Sequence, residues 1–349
     1  MIEADKGFVR RVIIPSYALS ALILLLWASS LLLSFGTAPA YAHVRYVLNQ
    51  TEVEQALSIS ARAPSVESLG LTMLGVLLII VAIQFIGLRL AGSNFARRIE
   101  AGLSSFDEQV PLIIRVLVGV FLLLSGLSGR FLAPQPGFEL GAFTPLSAIQ
   151  VVVGIFLILG LFTKIGALLL AALVVVAFWV LGVHGLDQFV LLGVSVMLFF
   201  EGGLHASVDS FTIARVERFR GIGEALMRLK VYSMPALRLS LGVNLIWLAL
   251  TEKLLVPELT EAAVVKYNVP VFPELRAFVL FFGFFEVLLG AHFLLGIFNR
   301  LISLLYLLLL VLAIFLFGET LNHLHLFAVS IAFLIRGAGP YRMDIVLRS

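Results

Sequence analysis

Long apolar runs, broken by short polar stretches, set the reading frame of this chain. The runs cover residues 14–35, 68–90, 111–129, 144–163, 165–183, 186–202, 235–254, 275–298, 300–318 and 321–337. Most approach the roughly 20 apolar residues that a helix needs to cross a bilayer. In lipid every backbone N–H and C=O must be satisfied within the segment, so such runs predict helices rather than strands. The expected fold class is all-α: a polytopic membrane helix bundle.

Two of the runs carry the same pattern. Residues 286–300 read EVLLGAHFLLGIFNR, and residues 150–164 read QVVVGIFLILGLFTK. They align without a gap, pairing Gly154 with Gly290, Gly160 with Gly296, Phe162 with Phe298 and Lys164 with Arg300. Upstream, RVLVGV from Arg115 matches RLSLGV from Arg238, and the same offset sets Arg130 on Lys253 and Pro134 on Pro257. Downstream, Gly202 falls on Gly337 and Asp209 on Asp344. A repeat this long implies a duplicated multi-helix module. The expected architecture is therefore two four-helix repeats, 111–209 and 235–349, joined by a basic linker at 210–234. An even number of spans per module makes the repeats parallel.

The first 110 residues stand outside this frame. Residues 1–42 have a basic start, an apolar middle and Ala40-Tyr41-Ala42, which fits a signal peptide or a retained first transmembrane helix. Residues 43–67 are polar and read as an external segment with a short helix near 52–60. Asn49-Gln50-Thr51 is a glycosylation sequon, and His43 beside Arg45 reads as a solvated loop. Residues 68–110 supply another transmembrane helix, in which Gln84 is expected to face a neighbour. A loop with Arg97 and Arg98 follows, then an interfacial segment at 106–111.

Composition agrees with the pattern: 349 residues, 61% hydrophobic and only 13% charged. A soluble domain carries about a quarter charged residues. The chain has no cysteine, which excludes disulfides, thiolate metal sites and dithiol redox chemistry within it. Any redox role needs a quinone, another non-covalent cofactor or a partner subunit. With the N-terminus cytoplasmic, basic residues favour the inner side by about three to one, as the positive-inside rule expects. That places the protein in the plasma membrane with a cytoplasmic C-terminus. The basic residues follow the inner lipid surface and form no nucleic-acid face. Arg115 and Arg238 are read as anchors of their helix starts at the inner interface.

Ionisable residues inside spans are costly and are the first functional candidates. Lys253, Glu286, Glu319 and His323 come from different helices of the second repeat and are expected to meet in an outward cavity. A structural role for Lys253 and Glu286, as an ion pair fixing helix packing, competes with a catalytic one. His323 and His325 are two positions apart and so diverge on a helix, which argues against a shared metal. His292 lies six positions after Glu286, on another face. The first repeat has Gln150 where the second has Glu286, with His184 and Asp187 in its outer turn and Glu201 at its end.

The ordered set Arg238, Gly242, Lys253, Glu286, Gly290, Gly296, Arg300, Gly337, Gly339 and Asp344 resembles the DoxX family of four-helix membrane proteins. Arg115, Gly119, Arg130, Gln150, Gly154, Gly160, Lys164, Gly202 and Asp209 resemble a degraded second copy. The resemblance covers residues 111–349. It implies quinone-linked oxidoreduction in a membrane complex, with a quinone as cofactor and a redox subunit as partner besides the lipid bilayer. A non-enzymatic carrier or scaffold for a lipid, ligand or subunit is the alternative.

Overall fold

The computed structural model describes residues 48–58, 65–90, 93–132, 144–202, 229–271, 274–317, 321–341 and 343. The apolar run at 14–35, His43, Arg45, most of the basic linker, Glu319, Asp209 and Asp344 lie outside the described residues. Within them there are helices and no strands. They are α1 (Gln50–Ser58), α2 (Val66–Leu90), α3 (Asn94–Ser104), α4 (Val110–Leu127), α5 (Pro145–Leu159), α6 (Thr163–Leu181), α7 (Phe189–Glu201), α8 (Ser233–Ala249), α9 (Pro257–Lys266), α10 (Leu275–Leu295), α11 (Asn299–Phe317) and α12 (Leu324–Arg336). Six helical stretches are long and apolar enough to cross a membrane, and α5 and α12 are shorter apolar helices. The chain is a multi-pass membrane protein.

Glycines determine how closely the helices approach. A Cβ on Gly154 would lie 2.8 Å from the Gly119 carbonyl oxygen, so α4 and α5 touch backbone to backbone. A Cβ on Gly290 would lie 2.8 Å from the Gly242 oxygen, where α8 crosses α10. Small residues allow this approach where lipid offers no hydrophobic drive between helices. The turns that follow also match. Gly160 (φ 63°) and Phe162 (φ 47°) lead into α6, and Gly296 (φ 71°) and Phe298 (φ 51°) lead into α11. In both turns a backbone N–H reaches five residues back, Leu161 to Phe156 at 2.9 Å and Ile297 to His292 at 3.1 Å.

Helices from the earlier and later parts of the chain pack by exchange. α4 lies against α12, and α8 lies against α7. At one end of the bundle Glu201, the last residue of α7, meets Arg336, the last residue of α12, at 2.8 Å. Lys230 and the Ser233 hydroxyl also reach Glu201. Arg115 and Arg238 join this arginine-rich end from inside the protein. Both are buried. Arg115 donates to the Gly202 carbonyl at 2.9 Å, and Arg238 donates to Tyr341 at 2.9 Å and Ala338 at 3.3 Å. Each therefore binds carbonyls just past a fourth helix, where the macrodipole favours a cation.

The segment read as a loop with Arg97 and Arg98 is helix α3. Ser93 caps it, accepting from the Ala96 N–H at 3.0 Å. Phe95 and Ile99, four apart, stay exposed, as in a helix lying along a membrane surface. At the opposite end of the bundle, α1 docks on α9 through Leu48, Val53, Ala56, Leu259 and Ala263. Its start is a capping box: the Asn49 side chain accepts from the Glu52 N–H at 2.9 Å, and Glu52 accepts from the Asn49 N–H at 2.7 Å. The asparagine of the sequon is thus the N-cap of α1.

Candidate functional site

At the end of α8 the helix widens. The Leu255 N–H bonds to the Leu250 carbonyl at 2.7 Å, five residues back, making a π turn over Leu250–Leu254. Such turns carry one extra residue and recur at functional sites. Here the extra residue turns both Glu252 and Lys253 into the protein, where each is buried. The Glu252 carbonyl accepts from the Thr260 hydroxyl of α9 at 2.9 Å. α9 thus braces the turn from its open side.

Lys253 then reaches the middle of α10. Its ammonium lies 2.9 Å from Glu286 Oε2 and 3.7 Å from Glu252 Oε2. Gly283, three residues before Glu286, makes room for the lysine stem, since a Cβ there would sit 2.9 Å from Lys253 Cβ. Two carboxyl groups thus share one ammonium, and one added proton makes the trio neutral. Val76, Ala249, Leu254, Phe284 and Val287 form an apolar cluster beside it. On the same helix Phe281 stacks on Phe285 with centroids 6.4 Å apart, both partly exposed. From α11, Tyr306 is buried, with its ring packed on Phe293 of α10, centroids 6.2 Å apart.

Of the four residues expected to converge, the structure brings Lys253 and Glu286 together. Glu319 is outside the described residues. His323 is buried in the turn before α12, which packs on α4 and α12. His325 faces the Phe121 ring, centroids 4.4 Å apart. His292 bonds Leu288 through Nδ1 at 2.8 Å and Gln84 of α2 through Nε2 at 3.3 Å. Gln84 therefore faces another helix. Among the described residues no three His, Asp or Glu side chains converge as a metal site.

Glu252 and Tyr306 were not in the expected set. Glu252 sits beside Lys253 in sequence, and neighbours on a regular helix diverge; the π turn overrides that spacing. Tyr306 was legible only as a polar tip within an apolar run. A separate polar centre was also missed. Asp187, in the α6–α7 turn, accepts from the Trp247 indole at 2.8 Å, and Asn244 donates to its backbone carbonyl at 2.8 Å.

At the positions that the sequence aligns with Glu286 and Lys253 the chemistry differs. Gln150 is fully buried. Its Oε1 accepts from the Leu132 N–H at 2.8 Å, and its Nε2 donates to the Leu122 and Arg130 carbonyls at 3.3 and 3.2 Å. Arg130 is exposed. No protein-family model, curated protein or solved structure matches this chain.

Proposed function

We propose that this chain is a DoxX-like membrane subunit of a quinone-linked oxidoreductase, built from two parallel four-helix repeats. The observation that carries the reading is the ion pair at 2.9 Å between Lys253, buried on the π turn, and the partly buried Glu286. The matched glycine crossings, the matched turns and the exchange packing support the duplication. The gathering of Arg115, Arg238, Arg300 and Arg336 at one end supports a cytoplasmic placement for that end in the plasma membrane.

The residues present suit a quinone. Lys253 supplies a cationic donor for a carbonyl oxygen, Glu286 and Glu252 handle a proton, and the apolar cluster with Phe281 and Phe285 suits a flat ring. When bound, a quinone would supply two-electron chemistry, with the electrons delivered by a partner subunit. Lys253 would orient the ring and hold negative charge near Glu286, and the surrounding side chains would exclude water.

The test is binding of decylubiquinone to purified protein in lipid nanodiscs by calorimetry. Saturable binding is expected, weakened at least about tenfold, or 1.4 kcal/mol, by Lys253→Met and by Glu286→Gln and unchanged by Arg130→Met. No binding to the wild type, or equal affinities throughout, contradicts the reading and favours a carrier or scaffold.

A further inference from the structure

Buried serines in these helices normally close on their own backbone. Ser195, Ser240 and Ser330 do so, on carbonyls three or four residues back at 2.7 to 2.9 Å. Ser303 on α11 does not. It is fully buried, and its Oγ has no hydrogen-bond partner among the described residues. One turn earlier Asn299 is 3% exposed, and neither of its amide atoms has such a partner. A buried polar group left unsatisfied is strongly unfavourable. Several in adjacent turns point to water as the partner, the usual occupant of such polar interior sites.

Asn299, Ser303 and Tyr306 follow the i, i+4, i+7 spacing of one helix face. They rise about 10 Å along the axis, from the arginine-rich end toward the level of Glu286. The Tyr306 ring packs on Phe293, centroids 6.2 Å apart, and Phe293 lies seven residues after Glu286 on the same face of α10. The matching positions in the first half are Thr163, Ala167 and Leu170, all buried. There the two deeper positions are apolar, and the acid is replaced by Gln150. The polar line and the acid therefore occur together.

We propose that Asn299, Ser303 and Tyr306 hold a water-lined proton path from the arginine-rich end of the bundle to Glu286. It rests on the reading of Glu286 as a working acid, and it needs no quinone. Asn299 holds water at the entrance without itself relaying. The Ser303 hydroxyl accepts a proton on one side and releases its own on the other, and the Tyr306 phenol does the same. The Glu286 carboxylate ends as the acid, and no electron moves. Lys253 and Glu252 face Glu286 from the π turn. His292 is engaged by Leu288 and Gln84, and Glu258 and Glu261 of α9 are held by Arg276.

The experiment is a pH jump on protein oriented in proteoliposomes. Time-resolved infrared spectroscopy follows the Glu286 carboxylic C=O stretch, assigned by its loss in Glu286→Gln. A jump at the arginine-rich end is expected to protonate Glu286. Ser303→Ala combined with Tyr306→Leu, which installs the first-half residues, is expected to slow this at least about tenfold, and Ser303→Thr is expected to preserve it. Should the double variant not fold, Tyr306→Phe gives the same readout by removing one oxygen. An unchanged rate in the folded variants, no Glu286 band, or a response only to a jump at the opposite end overturns the path. Decylubiquinone is absent throughout, so this failure and a failure of the quinone reading are told apart.

Discussion

Gln150 and Glu286 occupy the same place on α5 and α10, four residues before a glycine that touches the neighbouring helix, yet they do different work. Gln150 spends its amide on three backbone groups of the α4 end. That end can receive it because α4 stops at Leu127, the chain turns at Gly129 (φ 70°), and it turns in again at Leu132 (φ 58°). In the second half α8 does not stop there. It widens into the π turn and sends Lys253 inward to meet a carboxylate. The difference teaches that positions aligned in sequence can hold either a neutral backbone clasp or a charge pair. The local path of the preceding helix end decides which.

The largest effect expected from breaking this contrast is on stability. Lys253→Met leaves a buried carboxyl without its cation, and should cost about 3–5 kcal/mol in reversible unfolding from bicelles. Arg130→Met, at the exposed counterpart, should stay within about 0.5 kcal/mol. Equal losses would erase the distinction between the halves.

The glycine crossings sharpen the comparison from the other side, because there the halves agree. Gly154→Ala and Gly290→Ala each set a methyl against a carbonyl oxygen. Both should destabilise by about 1–3 kcal/mol, and by similar amounts in the same assay. A large loss in one half with none in the other would show that the matched crossings do not carry matched loads.

These contacts also separate what the sequence could say from what it could not. The glycine pairs were legible because a close crossing needs a small residue on both helices at a fixed offset. Lys253 and Glu286 were legible because a charge stands out in an apolar run. Helix α3 was not, since Phe95 and Ile99 sit among charges and read as a loop. The π turn was not, because one extra residue leaves no periodic trace in so short a segment. The Glu201–Arg336 pair was hidden by distance in sequence: its members are the last residues of two helices 135 positions apart, and only the exchange packing joins them.

The smallest effect lies at the α1–α9 end, where there is no first-half equivalent among the described residues. Lys266 donates to Glu52 at 2.8 Å. That hydrogen bond, followed by one from the Asn49 N–H, holds the Glu52 carboxyl below its ordinary 4.5. A depressed carboxylate stabilises above its unfolded value, and the gain is lost as pH falls through the lower folded value. Docking of α1, followed by amide hydrogen exchange, should thus be level above pH 4.5 and loosen below it. Glu52→Gln should flatten that dependence at a cost under about 1 kcal/mol.

The most direct measurement is a pair of double-mutant cycles, one on Lys253→Met with Glu286→Gln and one on Arg130→Met with Gln150→Leu, read as unfolding free energy in bicelles. A charge pair confined to the second half requires a coupling of at least about 1.5 kcal/mol between Lys253 and Glu286. It also requires a coupling near zero between the Arg130 side chain and Gln150, which binds only the backbone of that residue. Equal couplings in the two cycles, or none between Lys253 and Glu286, would contradict it.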